Sequence, residues 1–377
     1  MQNKSYKECV RCVMNTVVDK NIRFDIHGLC THCSRYDNLL KIRTRKDTKP
    51  NTSLGLLIQK IKKNGKGKKY DCLIGVSGGV DSTYLAYLAK ELGLRPLAVH
   101  FDNGWNSELS INNIENTLKR LNIDLVTNVI NWPEFRDLQK SFLMSSTPDG
   151  DVPSDHGIFA TLWKEAVKHK IKYILFGMNF ATESMSIPEW SYGHSDWKYI
   201  SEIHKKFGNV SLKTYPHYSI FYIFYVTILL RIQRISLLNY LDYDKNKAEN
   251  LIKNKLGWRP YGGKHHESIY TRFWQGYVLP KKFGIDKRYA HFSDLINSGQ
   301  MSRKEAVLSL KKPTYPLEIQ KSDYEYVLKK LAISRDEFER IISLPPKSFK
   351  NYKNNHKKIF LLKKFVDFLR SKKLYPK

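Results

Sequence analysis

The sequence predicts an α/β protein built on a doubly wound parallel sheet, with a small cysteine module ahead of it and a mainly helical part behind it. Three observations predict this. Between residues 70 and 176, short apolar runs alternate with segments of helical period, which is the pattern of a parallel sheet crossed by helices. Four of the five cysteines fall within the first 33 residues, as two Cys-x-x-Cys pairs. Beyond about residue 187 the strand signal fades, and helical segments separated by Gly, Pro and aromatic loops take over.

The cysteine module covers residues 1–45 and holds Cys9, Cys12, Cys30 and Cys33. A polar, Lys-rich linker over 44–69 follows, interrupted by an apolar lead-in helix at 54–61. Strands are expected at 71–76, 97–101, 125–130 and 173–176, with helices between them. The helix at 81–92 is marked by Leu85, Leu88, Ala89 and Leu92, and similar spacing marks 111–121 and 158–167. This central domain is assigned to 46–195, and the helical region to 196–377. Two capping boxes, Ser302 with Glu305 and Ser334 with Glu337, each precede an apolar periodic run. Pro345-Pro346 then stops a helix. From 344 to 377 the chain carries eleven Lys or Arg against one acid, Asp367. The first reading of that end is a helix docking its apolar face, and the second a membrane-surface or acidic-partner helix.

Composition is that of an ordinary globular chain, 377 residues with 41% hydrophobic and 27% charged, which excludes fibrous, collagenous and disordered classes. Lys plus Arg is 64 against 36 Asp plus Glu, a net charge of +28. A field of that sign attracts nucleic acid, anionic membrane or phosphorylated small molecules, and composition does not choose among them. The first residues have no apolar signal core, so a reducing cytoplasm is expected, either in bulk or at the inner face of the membrane. The longest apolar run, residues 219–230, falls short of the roughly 20 residues of a spanning helix. It reads as core packing first, and as a shallow membrane contact beside Arg231 and Arg234 second.

The sharpest motif is Ser77-Gly78-Gly79-Val80-Asp81-Ser82, set between the first strand and its helix. Glycines there let backbone N–H groups close on an anion, the hydroxyls of Ser77, Ser82 and Thr83 add donors, and the helix start adds its positive end. It is neither a Walker A loop nor Gly-x-Gly-x-x-Gly; the plain alternative is a structural turn. Cys9-x2-Cys12 and Cys30-x2-Cys33, separated by 17 residues, have the spacing of a four-thiolate structural zinc site, with an iron–sulfur cluster as second reading. His27 and His32 are surplus, and Cys72 belongs to the core. Asp151, Asp155 and His156 lead into a helix and are candidates to orient a substrate or ammonia; helix capping by Asp155 is the alternative. In the loop 257–267, Arg259, Lys264, His265 and His266 could bind phosphate or carboxylate, and Glu267 closes the set, unless the loop is merely structural.

SGGVDS resembles the PP-loop of the ATP pyrophosphatases, a superfamily that includes amidotransferase synthetases and tRNA-thiolating enzymes. That resemblance implies a HUP-like fold in which ATP sits with its β,γ-pyrophosphate on Ser77, Gly78, Gly79, Val80, Asp81 and Ser82 while a substrate oxygen attacks the α-phosphorus. Family practice puts nucleoside contacts at His100-Phe101-Asp102-Asn103-Gly104-Trp105, so Asp102 is the candidate there, with loop-entry capping as its alternative. Two carboxylates are candidates for Mg²⁺: Asp81, and Glu183 in the segment 177–183, which opens at Gly177 on the same edge of the sheet.

Taken with the cysteine pairs, HFDNGW, GMNFATE followed by Pro188-Glu189-Trp190, and GWRPYGGKHHE, the chain more narrowly resembles the N-acetyl sugar amidotransferases of bacterial lipopolysaccharide O-antigen biosynthesis, the WbpG and PseA type. The resemblance implies conversion of a sugar acetamido group to acetamidino through an O-adenylated intermediate displaced by ammonia. It also implies a nucleotide- or lipid-linked N-acetyl sugar as substrate. Glutaminase and cyclase-like partner subunits, similar to those of imidazole glycerol phosphate synthase, would supply the ammonia. Nucleic acid is then not an expected partner. The alternative is a PP-loop tRNA-modifying enzyme, of thiolation or lysidine type. Thiolation is disfavoured because no cysteine follows Cys72.

Overall fold

The computed structural model describes residues 6–43, 50–264 and 266–371. At its centre lies a parallel sheet of five strands: β1 (Cys72–Gly75), β2 (Pro96–Asp102), β3 (Leu125–Val129), β4 (Tyr173–Phe176) and β5 (Gln233–Ser236), in the order β3-β2-β1-β4-β5. The register pairs Leu73 with Leu97 on one side and with Ile174 on the other. β1 is the middle strand, and Cys72, Leu73 and Ile74 are wholly buried, so the apolar run that marked it in the sequence is covered on both faces.

The first four strands fall where the sequence places them. β5 does not: it lies in the stretch read as helical. It is a four-residue edge strand pairing only with β4. The crossover helices Val80–Glu91 and Glu108–Leu121 pack one face of the sheet together with Pro50–Gly65. Val152–Lys168 packs the other. Ser107 caps the second of these, accepting from Ser110 N, and Asn122 ends it in the left-handed region at φ 49°.

The chain order reverses between β1 and β4, which opens a crevice at their carboxyl ends, the place where open α/β sheets bind ligands. The loop after β1 carries residues 77–82, and the loop after β4 carries 177–183. The C-terminal helices Ile269–Phe273, Leu317–Leu331 and Arg335–Ser343 do not stand apart. Phe273, Val327, Leu331 and Phe338 share one core with Phe135, Leu138 and Phe142 of helix Trp132–Ser145. Ser302 and Glu305 form the full capping box, and Ser334 caps Glu337 N. In the terminal helix His356–Ser371, the expected apolar docking face is in part open, with Phe360, Leu361 and Phe368 more than half exposed.

Candidate active site

Gly78 stands at φ +77°, and a Cβ on it would lie 2.4 Å from the carbonyl oxygen of Ser110. Both the turn and the close approach of the next helix therefore demand glycine. The N–H groups of Ser77, Gly79 and Val80 donate, respectively, to Ser82 Oγ at 3.3 Å, Ser77 Oγ at 3.4 Å and Tyr261 Oη at 3.3 Å. These are long bonds to hydroxyls, and a phosphate oxygen would make stronger, charge-assisted ones. Ser82 Oγ in turn donates to Gly79 O at 3.1 Å.

The segment 258–267, marked in the sequence as a substrate loop, closes over this turn. Trp258 Nε1 donates to Gly78 O at 2.8 Å, and a Cβ on Gly79 would meet Tyr261 Oη at 3.0 Å and Glu267 Oε1 at 3.3 Å. Asn113 ties the backbone of Arg259 at both its N–H and carbonyl, each at 2.9 Å. Ser107 N donates to Glu267 O at 2.9 Å. Arg259 itself is exposed. His265 lies outside the described residues, and His266 accepts from Gly263 N through Nδ1 at 3.0 Å.

Asp81 and Glu183 face each other across the crevice. Burial first, and then the Glu183 charge, push the Asp81 carboxyl above its ordinary range, while a hydrogen bond from Tyr243 Oη and the charges of Lys245 and Lys264 pull the other way. Lys264 Nζ pairs with Glu183 Oε1 at 3.1 Å and donates to Thr182 O at 3.2 Å. Gly177 makes the approach possible, since a Cβ there would lie 2.7 Å from the Asp81 carbonyl. Two carboxylates crowded at one point, with a lysine beside them, fit a divalent cation.

Three of the expected residues are engaged differently. His156 is fully buried, its Nδ1 donating to His194 O at 2.9 Å and its Nε2 accepting from Tyr218 N at 3.2 Å. It stacks on the Tyr218 ring at 4.2 Å, and burial holds its imidazole down to about 3. With both nitrogens taken by backbone, it packs the core, and the catalytic expectation for it is corrected. Asp155 does not cap its helix: it shares His194 Nε2 with Asp149, at 3.2 and 3.0 Å. Asp102 Oδ1 accepts from Gly104 N and Asn106 Nδ2, closing its own loop as the alternative reading had it. Sequence reasoning missed Tyr243, which no motif marks, and within the segment GWRPYGGKHHE it singled out the charged residues and passed over Trp258 and Tyr261.

The four N-terminal cysteines are buried, and their sulfurs all lie within 4.8 Å of one another. Cys9 Sγ stands 3.9 Å from Cys33 Sγ, and Cys12 Sγ 3.7 Å from Cys30 Sγ. Tetrahedral thiolates about 2.3 Å from a metal would stand about 3.8 Å apart, so the cluster can hold a metal ion. His32 is occupied elsewhere, by Asp19 at 2.7 Å. The module packs on Met185, Ile187 and Trp190, immediately after Glu183, and Arg303 clamps it through Glu8 Oε1 at 2.6 Å and Cys12 O at 3.2 Å.

Fold and site thus define an α/β protein with a glycine-rich turn and a carboxylate pair at the switch point of its sheet, buttressed by a four-cysteine module. Residues 267–367 match the family model described as LPS biosynthesis protein WbpG-like, C-terminal domain. That match lies within the C-terminal helical region and agrees with the resemblance its sequence shows. A comparison with curated proteins finds no match. Among solved structures, that of NMN synthetase from Francisella tularensis is similar at 17% identity, covering 76% of this chain and 98% of that one, with a TM-score of 0.32.

A carboxyl whose folded-state pKa is raised costs stability once pH exceeds its unfolded value, and more as pH climbs. Asp81→Asn is therefore expected to raise the melting temperature at neutral pH, with the gain shrinking toward pH 4. A melting series across pH checks this, and a constant or inverted difference would contradict the crowding of Asp81.

Proposed function

We propose that this protein is the synthetase subunit of an ATP-dependent, AMP-forming amidotransferase, converting a sugar acetamido group to acetamidino in lipopolysaccharide O-antigen biosynthesis. The observation that carries the reading is the enclosed turn 77–82, walled by Trp258, Tyr261 and Glu267 with the Asp81 and Glu183 carboxylates beside it. The WbpG-like match supports the pathway.

An amide carbonyl is a poor electrophile, and ammonia cannot expel its oxygen unaided. In this reading the amide oxygen attacks the α-phosphorus of ATP, and pyrophosphate leaves from the turn. Ammonia then adds to the activated carbon, and AMP departs with the former amide oxygen. Ser77, Ser82 and the N–H groups of 77–80 bind the β,γ-phosphates, Gly177 keeps the crevice narrow, and Lys264 and Arg259 meet the phosphates of a nucleotide- or lipid-linked sugar. Asp81 and Glu183 would hold Mg²⁺, which supplies neutralisation of the pyrophosphate charge. Asp155 and Asp102 belong to the same sheet edge and contribute by shaping the loops around substrate and nucleoside.

Ammonia has to come from outside this chain. Cys72 is buried within β1 and the remaining cysteines are gathered in one cluster, which leaves no accessible thiol for glutamine hydrolysis. Glutaminase and cyclase-like partner subunits fill that role in this account. The cluster itself is assigned to structural zinc, which fixes the segment that follows Glu183.

Two outcomes are expected. With ATP, Mg²⁺ and ammonium, pyrophosphate and AMP should appear with a nucleotide-linked N-acetyl sugar and not with bulk tRNA, and Asp81→Ala should lower the rate about 100-fold or more; release with tRNA alone would move the protein to the tRNA-modifying class. Elemental analysis should find zinc, absent in Cys12→Ser, and no visible iron–sulfur absorbance.

A further inference from the structure

Helix Ile220–Phe224 and the π-helical turn Tyr225–Leu229 run on as one rod that is apolar on nearly every side. Its one hydroxyl-bearing aliphatic, Thr227, turns that hydroxyl back to Ile223 O at 2.6 Å. The inner face is accounted for: Val226 is wholly buried, and Tyr222, Ile223 and Leu230 pack on the core formed by Leu73, Val99 and Trp163. The outer face is not. Phe221 is 86% exposed, Leu229 64%, Phe224 45% and Tyr225 42%. A helix at the surface of a globular protein needs one apolar face; a second, contiguous one marks an interaction surface.

The display is built rather than frayed. Ser219 caps the rod by accepting from Tyr222 N. The loop before it is pinned by buried carboxylates, Glu134 accepting from Thr214 N and Tyr215 N, and Asp137 from Asn209 N and Val210 N. At the far end Lys172 Nζ donates to Leu230 O.

Charge decides the occupant. From Ile203 to Leu241 the chain has no acid, while it carries Lys205, Lys206, Lys213, Arg231 and Arg234. Exposed Arg231 and the Lys172 ammonium stand at the end of the rod. Among the described residues no helix is long and apolar enough to cross a membrane. An aromatic and aliphatic face with cations at its edge suits the boundary between headgroups and acyl chains, with the helix lying in the plane of the interface. We propose that this face docks the protein on an anionic lipid bilayer, with Phe221, Phe224, Tyr225 and Leu229 entering the interface and Arg231 and Lys172, at the end of the rod, meeting lipid phosphate. This does not depend on the reaction proposed above.

The test is flotation of the full chain with vesicles of phosphatidylethanolamine and phosphatidylglycerol, against phosphatidylcholine alone. The wild type should float with the anionic vesicles, and Phe221→Ser/Leu229→Ser should lose roughly tenfold or more in affinity. That variant keeps the whole +28 charge, so equal binding would show mere charge attraction and overturn the proposal. A wild-type dimer dispersed by the same variant, without vesicle binding, would assign the face to a second copy instead and also overturn it. Phe221→Trp gives an independent readout: because the chain already has seven tryptophans, the emission added by residue 221 is taken as the difference from wild type, and it should shift to the blue on anionic vesicles; an unshifted difference spectrum contradicts the docking.

Discussion

The site depends on holding two carboxylates, Asp81 and Glu183, close together at the carboxyl edge of a parallel sheet. Left to water, like charges would separate. Here they are kept in place from several directions: Tyr243 donates to Asp81, Lys264 pairs with Glu183, and Gly177 removes the side chain that would wedge the two loops apart. Burial, and after it the charge of Glu183, raises the pKa of Asp81.

Much of the molecule is arranged around that constraint. The strand order β3-β2-β1-β4-β5 brings the turn after β1 beside the loop after β4. The cysteine module packs on the residues immediately after Glu183 and limits how far that loop can move. On the opposite side the segment 258–267 closes over the turn. The WbpG-like match begins at Glu267, so the matched domain starts in the wall of the site and continues into the core it shares with helix Trp132–Ser145. Sheet and C-terminal helices thus build one crevice between them.

Which parts were legible in the sequence follows from how local their causes are. β1, β2 and β4 were readable because strands covered on both faces become continuous apolar runs, and the turn at 77–82 because its glycines are demanded by local backbone geometry. The cysteine cluster was readable from spacing alone. β5 was not, since Gln233–Ser236 is short, lies at the edge and has two polar ends. Tyr243 carries no local signal, and Trp258 and Tyr261, although inside the segment GWRPYGGKHHE, carry none for this particular role, because each acquires it only when a segment more than 150 residues away folds onto the turn. His156 was misread for the converse reason: a histidine that satisfies two backbone groups in the core is indistinguishable in sequence from one that moves protons.

If the crevice activates an amide oxygen by adenylation, as proposed, that oxygen leaves with AMP, and its fate can be followed. A nucleotide-linked N-acetyl sugar labelled with ¹⁸O in the acetamido carbonyl would be turned over with ATP, Mg²⁺ and ammonium, and the AMP examined by mass spectrometry. The label is expected to move into the phosphate of AMP, in step with loss of oxygen from the sugar. Unlabelled AMP, with the ¹⁸O retained in the sugar or released to water, would contradict it.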